Sequence, residues 1–193
     1  MSRFLGRLPG SRDRPDGQEG QRFFLIGPSG SGKSALSFMV SEAVKVHHFD
    51  TDSMIIQSLG VRTIAEVFDS DGESSFRNHE EEAIQQIESA SVTCVVATGG
   101  GLPAIPGMME RLNSLGITIY LRASVDTLWK RLSMDPDSLR DRPLLRSGGK
   151  LELERLVTQR LDVYQNAAIT YDTDRLSAEK VREFLVDVVN RYR

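Results

Sequence analysis

The chain has 193 residues, about the length of one compact domain, and its 39% apolar and 26% charged residues are those of an ordinary globular protein able to bury a core. With 24 Lys and Arg against 27 Asp and Glu the net charge is -3, which argues against general nucleic-acid binding, a property that grows with clustered cations. One cysteine, Cys94, excludes an internal disulfide and a multi-cysteine zinc site, and no apolar run approaches the ~20 residues that span a bilayer.

Residues 1–22 are rich in Gly, Pro, Arg and Asp, with no apolar stretch of the signal-peptide kind and with acidic residues that a transit peptide avoids. They read as a disordered N-terminal extension, leaving 23–193 as the domain of a soluble, cytoplasmic protein. From there short apolar runs alternate with longer amphipathic ones. Strands are expected at 23–26, 46–49, 92–97, 117–121 and 168–171, and helices at 33–44, 74–89, 108–115, 125–132, 151–164 and 178–191. Such alternation calls for an α/β fold, a five-stranded parallel sheet between two helical layers in a three-layer αβα arrangement. Three segments break the pattern: DSDGE at 69–73, which reads as a turn before a helix; GGGLPAIP at 99–106, a turn after a buried strand; and 135–150, a Pro, Gly and Arg-rich stretch of the length of a mobile lid.

Directly after the first strand stand Gly27, Pro28, Ser29, Gly30, Ser31, Gly32, Lys33 and Ser34, a GxxxxGK[ST] string in the strand-to-helix context it requires. Glycines let backbone N–H groups converge on phosphate oxygens, and the following helix offers its positive end. Lys33 adds a point charge for the β- and γ-phosphates, and Ser34 a hydroxyl for Mg²⁺. The expected ligand is a nucleoside triphosphate with magnesium. No NKxD-like guanine-reading string follows the later strands, which favours a small kinase over a GTPase.

The second strand ends in Phe49, Asp50, Thr51 and Asp52, and strand carboxyl ends are where open α/β sheets hold ligands. One carboxylate can face a metal and the other an acceptor hydroxyl. Taken alone, the string is equally an Asx turn or a helix cap. Further on, Arg77 and Glu80 share a helix face, where Glu80 could steady the guanidinium, although the run Glu80 to Glu82 also fits a solvated face. Gly99, Gly100 and Gly101 then present unobstructed backbone to the same rim.

These strings together resemble the shikimate kinases, in the nucleoside-monophosphate-kinase branch of P-loop folds. The carriers are GPSGSGKS, FDTD, TIAEVFDSDGESSFRNHEE, ATGGG, DRPLL and QRLDVY, spread over nearly all of 23–174. The resemblance implies ATP-dependent phosphorylation of the 3-hydroxyl of shikimate. It implies that Asp52 contacts that hydroxyl and acts as base, that Asp50 supports Mg²⁺ through water, and that Arg77 and Arg160 clamp the carboxylate. Gly99 to Gly101 would meet the ring hydroxyls, Arg142 would be the lid arginine on the transferring phosphoryl group, and Arg131 would lie along the adenine. A monomer binding ATP and shikimate is expected. Ala35 stands where the family often has Thr, a packing difference that leaves Ser34 in place. Two other readings stay open, a gluconate kinase, whose substrate also carries a carboxylate and hydroxyls, and a kinase-like binding protein without turnover. His47 and His48, with no further ligands nearby, read as structural, as do Cys94 in its apolar run and Trp129 at helical spacing with Val125, Leu128 and Leu132. Phe68 and Phe76 read as core, or as the apolar wall of an acceptor site.

Overall fold

The computed structural model describes residues 20–134, 141–146 and 148–193. In chain order the elements are β1 (Arg22–Ile26), α1 (Lys33–Val44), β2 (His47–Asp50), α2 (Thr51–Leu59), α3 (Ile64–Ser89), β3 (Cys94–Ala97), α4 (Met108–Leu115), β4 (Ile117–Arg122), α5 (Val125–Ser133), the single turn α6 (Pro143–Arg146), α7 (Gly149–Gln165), β5 (Ile169–Asp172) and α8 (Ala178–Tyr192). The five strands pair in parallel in the order β2-β3-β1-β4-β5, as the alternation of runs predicts.

Side-chain alternation along the strands divides the core into two layers. Phe23 and Leu25 of β1, with Ile117, Ile119 and Leu121 of β4, pack against α1 and against Val181, Leu185, Val188 and Val189 of α8. Phe24 and Ile26, with Cys94, Val96 and Tyr120, face the other way onto Ile84 and Ile87 of α3, α4 and Tyr164 of α7. Both faces of the sheet are covered, which is why its strands read as continuous apolar runs. Two smaller clusters lie at the rim, one joining α2 to α3 through Ile55, Ile64, Val67 and Phe76, the other joining α5, α6 and α7 through Leu128, Leu145 and Leu156.

Two expectations change, and a third is reached only in part. Of the presumed extension, residues 1–19 lie outside the described residues, but Gln21 and Arg22 are buried and belong to the domain. Polar letters hid this: the Arg22 guanidinium donates to the carbonyls of Ile87, Glu88 and Ala90, satisfying the orphan acceptors that end α3. The DSDGE segment is not a turn before a helix that begins at 74. It lies inside α3, whose axis kinks at Gly72 (φ 78°, ψ 173°). Of the expected lid, residues 135–140 and Ser147 lie outside the described residues, while Pro143–Arg146 is helical and α7 already begins at Gly149.

Candidate active site

The loop from Gly27 to Gly32 joins β1, the central strand, to α1. At Gly30 φ is 83°, and a Cβ there would stand 2.8 Å from the Leu128 carbonyl oxygen and 2.9 Å from Leu132 Cγ, so the loop lies flat on α5 only because this residue is glycine. Lys33 is buried at the first position of α1, and its ammonium donates to the carbonyls of Gly27 (2.8 Å) and Pro28 (2.9 Å) and, more weakly, to Ser31 Oγ (3.4 Å). Burial, and next the charge of Arg142, push its pKa down to about 8, so it stays cationic at neutral pH. Ser34 follows it with an exposed side chain. Arg142 reaches the loop from the segment before α6 and donates to Ser29 Oγ at 3.1 Å.

The second strand's string divides its labour differently from a pair of carboxylates at a strand end. Asp50 is the last residue of β2 and the N-cap of α2, its Oδ1 accepting from Ser53 N at 3.1 Å. Asp52 lies in the first turn of α2, and its Oδ1 is buried with no hydrogen-bond partner among the described residues. Burial, then the neighbouring Asp50 charge, raise the Asp52 pKa to about 6. Between them Thr51 Oγ1 accepts from Gly99 N at 2.8 Å, tying α2 to the glycine turn after β3.

Helix α3 supplies Arg77. Its guanidinium is held on both sides, by Glu73 Oε1 at 2.7 Å and by Glu80 Oε2, and sits 5.3 Å from the Phe76 ring centroid. Glu80 is not the surface partner that its glutamate-rich run suggests, because its side chain is fully buried. Burial raises its pKa to about 7 against the opposing pull of Arg77. Its second oxygen, Oε1, is also unpartnered among the described residues. The glycine turn explains the crowding. A Cβ on Gly101 would stand 2.6 Å from an Arg77 nitrogen, and one on Gly99 would stand 2.5 Å from Glu80 Oε1 and 2.8 Å from Asp52 Oδ1. Two orphaned carboxylate oxygens thus converge on one spot beside bare backbone.

A single cleft joins these parts: Asp52, Arg77, the glycines 99–101, Arg142 and Arg160 line it together with Ser29 of the phosphate-binding loop. Phe68 and Phe76, their ring centroids 4.7 Å apart, form its apolar wall. Arg131 is not among its lining residues. It donates to Thr173 Oγ1 and to the Thr173 carbonyl, at 3.2 and 2.9 Å, on the loop after β5. His48 is structural, its Nε2 lying 2.9 Å from Ser37 Oγ, and among the described residues no group of three or more His, Cys, Asp and Glu side chains is placed to hold a metal. Burial pushes the Cys94 thiol up to about 11, as befits a core residue.

Sequence reasoning passed over Thr51, Asp141, which shares the cleft, and Tyr164, whose hydroxyl donates to the Gly100 carbonyl at 2.6 Å. Only Tyr164 carried a signal, since it stands four residues after Arg160 on the same helix face.

Comparison with known proteins points to one family. The shikimate kinase family model matches residues 29–190. Among relatives, the shikimate kinase of Caldicellulosiruptor bescii is 33% identical over 165 residues, 85% of this chain and 92% of that protein. That of Francisella tularensis subsp. holarctica is 34% identical over 173 residues, 86% and 96% of the two chains. Among solved structures, the shikimate kinase from Acinetobacter baumannii in complex with shikimate superposes with a TM-score of 0.81 at 26% identity, covering 91% of this chain and 96% of that one. The enzyme from Bacteroides thetaiotaomicron gives 0.76 at 27%, covering 88% and 98%.

Proposed function

This chain belongs to the shikimate kinase family, and we propose that it transfers the γ-phosphoryl group of ATP to the 3-hydroxyl of shikimate across the cleft described above. Arg77 and Arg160 hold the acceptor carboxylate, since planar guanidinium forks match carboxylate geometry. The bare backbone of Gly99 to Gly101 lets the ring hydroxyls approach. The Asp52 carboxylate receives the proton of the 3-hydroxyl as that hydroxyl's oxygen bonds to phosphorus and the bridging bond to ADP breaks. Lys33 and Arg142, which converge on the loop from two sides, hold the oxygens whose charge grows during transfer. Arg131, outside the acceptor cleft, is left to the adenine side.

The donor set suits Mg²⁺. Ser34 offers an exposed hydroxyl, and Asp50 commits Oδ1 to its helix cap, so Oδ2 can hold an ion through water. Two hard oxygen donors fit an ion whose remaining positions are taken by phosphate and water. Such an ion neutralises phosphate charge when bound. Use of ATP suits a cytoplasmic enzyme, and the cleft's two arginines, aspartate and phosphate-binding loop suit a monomer.

One observation carries the reading: Asp52 lines the same cleft as Ser29 of the phosphate-binding loop, the bare glycine turn and the two arginines Arg77 and Arg160. The test is coupled ADP release with shikimate, with gluconate and with no acceptor. Release is expected with shikimate alone, and Asp52→Asn should lower kcat by about 10²–10⁴. Release independent of acceptor, or faster with gluconate, would overturn the assignment.

A further inference from the structure

We propose that His48 and Ser37 form a polar cross-link that sets the spacing of the two residues assigned to Mg²⁺, Ser34 and Asp50, and so act as positioning residues for the metal-bound nucleotide. The contact is direct: Ser37 Oγ and His48 Nε2 lie 2.9 Å apart, and the same hydroxyl donates to the Ser34 carbonyl at 2.9 Å. A serine hydroxyl has one proton to give. With that proton on the Ser34 carbonyl, the bond to the imidazole runs from Nε2–H to Oγ, and Ser37 is held from both sides. Ser37 is fully buried, and Phe38, the next residue of α1, meets the imidazole edge-on with ring centroids 5.8 Å apart.

Periodicity places the two metal donors one step further along. Ser34 precedes Ser37 by three residues on one face of α1, and Asp50 follows His48 by two on one face of β2. That face of β2 is the one toward α1: Phe49 between them packs into the opposite layer, while Val95, beside His48 in the β2–β3 register, belongs to the α1 layer. Strands β1 and β2 are both parallel to β3, so α1, which carries the chain back from one to the other, runs against β2. Stepping from Ser37 to Ser34, roughly 4.5 Å, and from His48 to Asp50, roughly 6.6 Å, therefore moves the same way along both elements. The observed bond is one rung between helix and strand, and the donor pair is the next. Because β2 stands at the edge of the sheet, its tie to α1 restrains the end that carries Asp50.

The inference rests on the assignment of Ser34 and Asp50 to Mg²⁺, and its test separates the two. ADP binding to the full chain is measured by calorimetry, once with Mg²⁺ and once with EDTA. His48→Phe keeps an aromatic ring in the strand and loses the N–H. Ser37→Ala breaks the same bond from the helix side and takes its place should thermal melting show that the first variant does not fold. Either should bind ADP in EDTA within about 2-fold of the parent, and in Mg²⁺ roughly 3–10-fold more weakly, the scale of one hydrogen bond. His48→Gln, whose amide can bring an N–H to the place of Nε2, should recover the affinity in Mg²⁺. A merely structural role would weaken binding equally with and without the metal; that result, unchanged affinity in Mg²⁺, or no recovery in His48→Gln overturns the inference. If Ser34→Ala and Asp50→Asn reduce the gain in affinity that Mg²⁺ gives while His48→Phe and Ser37→Ala do not, the inference falls and the metal assignment stands. If Ser34→Ala and Asp50→Asn leave that gain unchanged, both fall.

Discussion

Asp52 and Glu80 are carboxyls that burial pushes in the same direction, to about 6 and about 7, and each has one oxygen without an internal partner among the described residues. A folded-state pKa above the unfolded value means that the native state binds more protons over the interval between the two. The stabilising contribution of these groups is therefore complete below their unfolded pKa values, about 3.9 and 4.3, and is lost as pH rises through about 6 and 7. The substrate-free protein should lose resistance to urea between pH 5 and 7.5, and the double variant Asp52→Asn/Glu80→Gln should flatten that slope. The acids whose pKa is lowered, Glu152, Asp174 and Glu179, titrate below this window. A slope unchanged in the double variant would show that the pair is not its source. Lys33, Asp52 and Arg77 were legible because phosphate and carboxylate chemistry demands those residue types in those strings. Glu80 was half legible: its pairing with Arg77 followed from spacing, but its burial depends on a glycine turn 19 positions away that only the fold lays over it. Thr51 carries no signal at all, since a hydroxyl that accepts one backbone N–H looks like any other threonine until the partner strand is in place.

At the scale of the element, α3 shows how a correct physical cue can give the wrong boundary. Asp, Ser, Asp, Gly and Glu in succession favour a turn, and the backbone does leave the helical region there, but at Gly72 alone, after which the same helix resumes. The kink matters because Phe68 lies before it and Arg77 after it, both on the wall of the cleft. A helix that ran straight through Gly72 could not aim both at the same ligand. No atom lies within 4 Å of where a Cβ on Gly72 would stand, so the constraint is conformational and not steric. Gly72→Ala should cost about 1–3 kcal/mol, the range for a non-glycine residue held at a sparsely populated φ/ψ. At this chain length that lowers Tm by roughly 2–12 °C. If the variant relieves the strain by straightening α3, the shikimate KM should rise as well. A Tm equal to the parent's would show that the kink carries no strain. The α2 cap teaches the complementary lesson: of the two readings of FDTD, the helix cap holds for Asp50, while Asp52 brings its carboxyl to the lining of the cleft.

Over the whole molecule, the strand order places β1 at the centre, with β3 on one side and β4 on the other. The loops after β1, β2 and β3 consequently open at one edge of the sheet, where doubly wound folds bind ligands. This juxtaposition could be anticipated from alternation alone, but its consequence could not: the phosphate-binding loop and the acceptor cleft share a wall. Gly100 lies against Ser29 and Gly27, its Cβ position 3.5 Å from Ser29 N, and Arg142 spans from the cleft to Ser29 Oγ. Ligands on the two sides should therefore stabilise one folding unit, each by an amount set by its own saturation. At a hundredfold excess over Kd a ligand contributes about 2.7 kcal/mol, a rise in Tm of roughly 5–10 °C for a domain of this size. ATP with Mg²⁺ and shikimate should each give such a rise in the parent protein. Arg77→Lys removes a planar fork that Glu73 and Glu80 hold in place and substitutes a point charge that cannot grip a carboxylate at two oxygens. The variant should lose most of the shikimate-induced rise at the same concentration and keep the ATP-induced one. Equal loss of both would mean that Arg77 supports the shared wall as a whole and not the acceptor alone.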